Sequence, residues 1–365
     1  MADNMRAARI HKLGGPLRID VIPVPAVGPD DVLVKIAACG TQDGDYKLIH
    51  GELPLNRLPL TIGHEPAGTV ARVGSNVRGW QEGTRVFVDP SIGCGNCRFC
   101  NAGKEMYCGS YGVMGMTHFT PAGKALFEMY GDGGFAEYMK VPATNLRRLP
   151  EAISFTQAAK IAFLGVAFKA VERTRLKAGE TIVISGASGA LGTCAVMAAK
   201  ALGAARIIAV ARDKGRLERV CRVNPEVVIP VSTRDDPELH SLQELTGGIG
   251  ADVYVDCLAT GIDVTKGCLM SLRKGARAAL IGGVVGTLDL EYPFFMHREI
   301  EVTGSVGLGR ANFYRVVQMM CSKVVDFSNF VTHEFLLEQA NEAIATIIEK
   351  KDNPLGVIVR PYPEG

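Results

Sequence analysis

Residues 181–202 leave little choice of architecture. The strand-like run Thr181 to Ser185 leads straight into Gly186-Ala-Ser-Gly189-Ala-Leu-Gly192, and from there into an apolar-periodic helix ending near Leu202. A strand that turns on glycines directly into a helix is half of a βαβ unit, which belongs to a parallel sheet covered by helices. The surrounding pattern repeats the theme, with a helix over Phe155 to Arg175, strand RIIAVA, a helix from Lys214, strands VVIPV and DVYVDCL, a helix from Val264, and strand AALIGG. Residues 155–304 therefore read as a doubly wound parallel sheet.

The first 154 residues have another texture. Short β-rich runs broken by turn residues, LRIDVIPVP, DVLVKIAACG, AGTVARVG, TRVFVDP and GGFAEYMKVP, predict a domain of strands and loops. Thr117 to Met129 is expected to be a long loop, either covering a substrate cleft or making an ordinary surface excursion. Beyond 304 come a helix at Ala311 to Lys323, another at Leu337 to Lys350 and a closing strand, GVIVRP, that resembles the first domain in texture. A chain of 365 residues, 47% of them hydrophobic, has enough apolar material for two cores. The fold class is thus α/β, with residues 1–154 and 305–365 in one domain and 155–304 in the other.

The glycine turn also predicts a ligand. Glycines let backbone amides approach a pyrophosphate, and the following helix N-terminus offers unpaired N–H groups, so Gly186, Ser188, Gly189, Ala190, Leu191 and Gly192 form a dinucleotide cradle. An acidic residue ending the next strand would bind the ribose 2′-hydroxyl, but Ala211-Arg212 stands there, with Asp213 just beyond. This favours NADP(H) over NAD(H). Gly282 and Gly283, at the end of a later strand, give backbone access for the carboxamide.

Cys94, Cys97, Cys100 and Cys108 are four of ten cysteines and fall within fifteen residues. Four thiolates at that spacing predict a tetrahedral structural Zn2+ site, closed to substrate. A second constellation, Cys39 followed by Gly63-His64-Glu65, offers a soft thiolate, an imidazole and a neighbouring carboxylate suited to another zinc. A formal net charge of +2 without a basic stripe argues against nucleic acid. The absence of a leader-like N-terminus or a long apolar run argues against a membrane and for a cytoplasmic protein.

In order along the chain, Gly63-His64-Glu65-x-x-Gly68-x5-Gly74, the four-cysteine lobe, DGGFAEYMKVP at 132–142 and GASGALG resemble the zinc-containing medium-chain alcohol dehydrogenases over nearly the whole sequence. The resemblance implies a GroES-like catalytic domain interrupted by a Rossmann domain, an active site in the cleft between them, and a homodimer or homotetramer. It also implies that Cys39 and His64 ligate a catalytic zinc, that Glu65 can exchange onto the metal, and that Thr41 hydrogen-bonds the substrate oxygen. The expected reaction is hydride transfer between the nicotinamide and a small-molecule alcohol, aldehyde or ketone.

Two departures stand out. The segment that carries the family's third ligand reads Ala158-Ala-Lys-Ile-Ala-Phe-Leu-Gly165, where Lys160 is the lone polar side chain and Ile161, Ala162 and Phe163 fill the ligand positions. Glu65 can complete the site, Asp43 or Asp45 can swing in, or the catalytic zinc is weak or missing. The family's proton-relay histidine is also replaced, with Gly44 or Asp45 in its place, so Asp45 is a candidate relay base. Loss of the third ligand leaves open a reductase that delivers hydride to an activated C=C bond, such as an enone, without catalytic zinc. A non-catalytic NADP-binding protein is the third possibility.

Overall fold

The computed structural model describes residues 3–363. They form two compact units, one of residues 3–161 with 327–363 and the other of residues 162–326.

The first unit is built on the strand Asp31–Thr41. Its long, almost fully buried sequence DVLVKIAACGT pairs antiparallel with Glu65–Val73, Tyr138–Pro142 and Gly356–Arg360. With neighbours along both edges and Lys35 the one exposed residue, it reads as a near-continuous apolar run. The sheet continues through Arg85–Val88 and Leu146–Arg148 on one side and Val331–Leu336 on the other. The register sets Val357 opposite Thr41 and Val359 opposite Cys39, tying the last strand of the chain to the centre of this sheet. Its core gathers Ile36, Cys39, Ile62, Phe135, Met139 and Val359, among others.

The second unit is a six-stranded sheet of parallel pairs. Its strands run Val228–Ser232, Arg206–Ala211, Thr181–Ser185, Ala251–Asp256, Leu272–Leu280 and Glu301–Gly304 across the sheet. The chain leaves Thr181–Ser185 toward one edge and returns to Ala251–Asp256 beside it, which is the topological switch point of a Rossmann sheet. The α/β class and the pairing of a GroES-like unit with a Rossmann sheet are thus as the sequence reads.

Three local expectations change. The boundary after the parallel sheet falls at 327 rather than 305, because the intervening segment packs on the helix Ile161–Arg173. Lys169 donates to the Val306 carbonyl, Leu308 lies against Gly165, and Arg315, from the helix Arg310–Cys321, sits over the Phe168 ring. The helix read over Phe155 to Arg175 is interrupted, with Phe155–Ala158 and Ile161–Arg173 separated by Ala159 and Lys160. Thr117 to Met129 is not structureless, since it holds the short strand Thr117–His118, paired with Gly112–Val113, a turn at Pro121–Gly123 and most of the helix Lys124–Tyr130. Burying Phe127 anchors that helix.

Candidate active site and structural metal centre

In the four-cysteine lobe the sulfurs converge. The ligand atoms of Cys94, Cys97, Cys100 and Cys108 lie within 4.8 Å of one another. Cys97 caps the short helix Arg98–Asn101, its sulfur accepting from the Cys100 amide at 3.5 Å. The amides of Cys94 and Ser110 each approach the Cys108 sulfur at 3.3 Å. Such N–H donors stabilise thiolates, and the Cys100 amide heads the causes that pull Cys97 down to about 6. Burial instead drives the neighbouring Cys100 thiol up to about 12, a cost that a bound cation removes. Gly93 is required beside the cage, because a Cβ there would lie 2.8 Å from the Cys100 sulfur. The donor set fits tetrahedral Zn2+ with no open position, so this metal would hold the lobe together.

The second constellation is arranged differently from the expected ligand set. Gly40 faces Glu65 across the strand pair, and Cys39 faces Pro66. Cys39 is fully buried, with its sulfur packed against Gly63 and Gly134, where added Cβ atoms would approach to 2.9 and 3.0 Å. Burial pushes its thiol well above the ordinary value. The Glu65 carboxylate receives the Lys160 ammonium at 2.6 Å, and the same ammonium donates to the Thr41 carbonyl at 2.8 Å. Both side chains are about 1% exposed. This pair explains Gly40, where a Cβ would sit 2.3 Å from Glu65 Oε2 and 2.5 Å from the Ala159 carbonyl. It also explains the break in the helix, since the turn at Ala159-Lys160 aims Lys160 inward.

Asp45 organises the other group. Its Oδ2 accepts from the Thr41 hydroxyl at 2.9 Å and from the Gln42 amide at 3.0 Å. Its Oδ1 faces His64 Nδ1 at 3.3 Å, an ion-pair distance without hydrogen-bond alignment, and neither atom has a hydrogen-bond partner. Burial depresses the His64 pKa, but the carboxylates of Asp45 and Glu65 outweigh it and the net direction is upward. The Gln42 carboxamide lies directly against His64 Nε2. Thr41, Asp45 and His64 are thus brought together, while Glu65 is turned to Lys160 and Cys39 is packed in the core. The Thr41 hydroxyl, expected to meet a substrate oxygen, is buried and directed at Asp45. Among the described residues, the four-cysteine lobe is the group of three or more His, Cys, Asp or Glu side chains placed so that they could hold a metal ion.

Sequence reasoning missed Gln42 and the partner of Lys160. Gln42 left no signal, since a glutamine in a loop after a strand is ordinary. Lys160 did leave one, because an ammonium inside AAKIAFLGVAF must find an anion if that helix is buried.

In the Rossmann unit, Gly186 turns with φ +67° and closes on the neighbouring strand end, where a Cβ would lie 2.7 Å from the Cys257 carbonyl. Gly192 lets the helix Ala190–Ala201 press on the turn, as a Cβ there would be 2.2 Å from the Gly186 carbonyl. Gly189 is the N-cap of that helix, with Ser188, Ala190 and Leu191 beside it and half-buried. Gly282 sits so close to Leu258 that a Cβ would be 2.2 Å from its carbonyl, and the Gly283 amide donates to the same oxygen at 2.8 Å. Behind the turn, Ser185, Tyr254 and Thr265 hydroxyls converge on Asp256. Ala211 ends its strand buried, followed by exposed Arg212. Asp213 caps the helix Lys214–Cys221, accepting from the Arg216 amide at 3.0 Å, with an Arg234 guanidinium nitrogen 3.6 Å away. These close approaches leave no room for a side chain at Gly186, Gly192 or Gly282, the tight strand-to-helix packing that a dinucleotide turn requires.

A Rossmann sheet with this glycine turn, joined in sequence to a β-rich unit carrying a four-cysteine lobe, defines a class of nicotinamide-dependent oxidoreductases. The model of the alcohol dehydrogenase GroES-like domain matches residues 28–151, and that of the zinc-binding dehydrogenases matches residues 190–322. Sorbitol dehydrogenase of Bacillus subtilis is 31% identical over 98% of both chains. An NAD-dependent alcohol dehydrogenase of Sulfurisphaera tokodaii is also 31% identical, over 93% of this chain and 95% of that one. Among solved structures, a putative zinc-binding dehydrogenase of Sinorhizobium meliloti bound to NADP superimposes with a TM-score of 0.85 at 25% identity, covering 99% of this chain and 100% of that one. The chain belongs to the zinc-containing medium-chain dehydrogenase/reductase family. It is an oxidoreductase of that family.

Two outcomes follow from these sites. Lys160→Met, which strands the Glu65 carboxylate, should lower unfolding free energy by about 3–5 kcal/mol in denaturant titrations, and Lys160→Met with Glu65→Leu should recover most of it. Cys108→Ser should lose the lobe's zinc and open residues 93–111 to limited proteolysis, while NADPH still binds.

Proposed function

We propose that this chain is an NADP(H)-linked oxidoreductase acting on a small-molecule alcohol, aldehyde or ketone. The proposed cofactor residues are Gly186, Ser188, Gly189, Ala190, Leu191, Gly192, Ala211, Arg212, Gly282 and Gly283. When bound, NADP(H) supplies or accepts the hydride at the nicotinamide C4. The NADP(H) preference is supported chiefly by Asp213, whose carboxylate is directed at a helix N-terminus and Arg234 rather than left free for a ribose 2′-hydroxyl. Arg212, Lys214, Arg216 and Arg234 give this corner an excess of cationic groups over Asp213 and Asp235, which suits a 2′-phosphate.

At the candidate reaction centre, Asp45 faces His64 and accepts a hydrogen bond from the Thr41 hydroxyl at Oδ2. His64, 7% exposed, stands behind half-buried Gln42. Cys39, His64 and Glu65 do not converge as a zinc set here, so no step is assigned to a metal at that position. A second reading, hydride delivery to an activated C=C bond such as an enone, is favoured by one observation, the engagement of Glu65 by Lys160.

Following NADPH absorbance with a ketone, an aldehyde and an enone tests both readings. Turnover of a ketone or aldehyde supports the first, turnover of the enone alone supports the second, and turnover of none opposes both. Arg212→Ala should raise KM for NADPH by roughly tenfold or more with little change for NADH, the size expected for one charge-assisted contact. Equal effects on both cofactors would count against the NADP(H) assignment.

A further inference from the structure

We infer that the Cys39/His64/Glu65 region of this protein is a metal-free centre in which Gln42 occupies the free nitrogen of His64 and Lys160 takes the carboxylate of Glu65, leaving zinc only in the four-cysteine lobe. The inference rests on the oxidoreductase reading for its place in the reaction, but not for its chemistry, which each donor decides in turn.

The imidazole has two nitrogens and both are faced. Asp45 Oδ1 stands at Nδ1 and the carboxamide of Gln42, the N-cap residue of the helix Asp43–Ile49, at Nε2, so a metal reaching His64 would have to displace one of these side chains. An amide is also a poor exchange for a thiolate, because a neutral oxygen or nitrogen donor neither softens the site nor balances a dication. The thiol that should supply this character belongs to Cys39, and it is enclosed by Gly63, Gly134 and the core around Phe135. Glu65 is neutralised by an ammonium at 2.6 Å, buried with it. A dication beside Glu65 would share the low-dielectric interior with Lys160, and the two cations would repel strongly. The helix Ile161–Arg173 begins Ile-Ala-Phe, side chains with no metal-ligating atom.

Both buried carboxylates are engaged without a metal. Lys160 offsets Glu65, while Asp45 is held by the Thr41 hydroxyl, the Gln42 amide and the adjoining imidazole. The half-buried Gln42 carboxamide, backed by His64, is then the polar group left to meet a substrate oxygen, by hydrogen bonding rather than Lewis-acid polarisation. Gln42 is accordingly a positioning group of the centre that sequence spacing did not single out.

The test is zinc content after incubation of the full-length protein with excess zinc and desalting, compared between the natural chain and His64→Ala, with His64→Gln and Cys39→Ser as further variants should His64→Ala fold poorly. The inference expects no His64-dependent zinc, so that the natural chain and the folded variants carry the same content. A natural chain that holds about one zinc per chain more than the His64 variants would overturn it. NADPH binding, measured separately by fluorescence, reports on the oxidoreductase reading, so a protein that fails to bind NADPH and a protein with a second zinc are distinct failures.

Discussion

A charge buried away from water must be matched, and the Lys160–Glu65 pair sets the terms for everything around it. Removing a carboxylate and an ammonium from water costs several kcal/mol each, offset only when the two meet closely with their remaining hydrogen-bonding capacity engaged. Here the ammonium reaches both Glu65 Oε2 and the Thr41 carbonyl, fastening the end of one strand to the start of its neighbour. The contact requires a glycine at position 40, a strand register that places Gly40 opposite Glu65, and a helix interrupted at Ala159 and Lys160. Each of these looks incidental alone. Together they describe one buried ion pair and the space it needs.

The two cysteine-bearing regions then play opposite parts. The lobe of Cys94, Cys97, Cys100 and Cys108 has converging sulfurs, amide donors and a glycine making room for them, so it is built for a cation. The region of Cys39 has a thiol on one strand and an imidazole and a carboxylate at the start of its neighbour, yet each is turned to a different partner. Proximity along a chain supplies candidates for a metal site, whereas convergence of lone pairs makes one. Membership of a zinc-containing family is carried by the lobe, the GroES-like sheet and the Rossmann turn, and none of these obliges the reaction centre to keep its metal.

Much of this fold is legible in the sequence because periodicity and glycine placement are local. The strand Thr181–Ser185, its glycine turn and the helix Ala190–Ala201 lie within a residue of where the pattern puts them. The helix Lys124–Tyr130 was not legible, since Lys-Ala-Leu-Phe-Glu-Met-Tyr is too short for a clear period and its stability comes from burying Phe127. The candidate centre was harder still. Along Asp31–Thr41 the register against Glu65–Val73 shifts between Leu33 and Val34 and again between Ile36 and Ala38, so counting alternate residues does not say which side chain reaches His64. Cys39 was the chemically attractive choice and Gln42 the spatial one. The partner of Lys160 lies 95 residues away in sequence, a distance over which no local pattern speaks.

The inferred metal-free centre has His64 answering to Asp45 and Gln42. A crystal structure of the zinc-supplemented protein, with diffraction recorded on both sides of the zinc absorption edge, examines it directly. The account predicts anomalous density between the sulfurs of Cys94, Cys97, Cys100 and Cys108 and none beside His64, with the Gln42 carboxamide resting on Nε2. A zinc peak at about 2.0–2.1 Å from His64 Nε2, the bonding distance for imidazole, would contradict it.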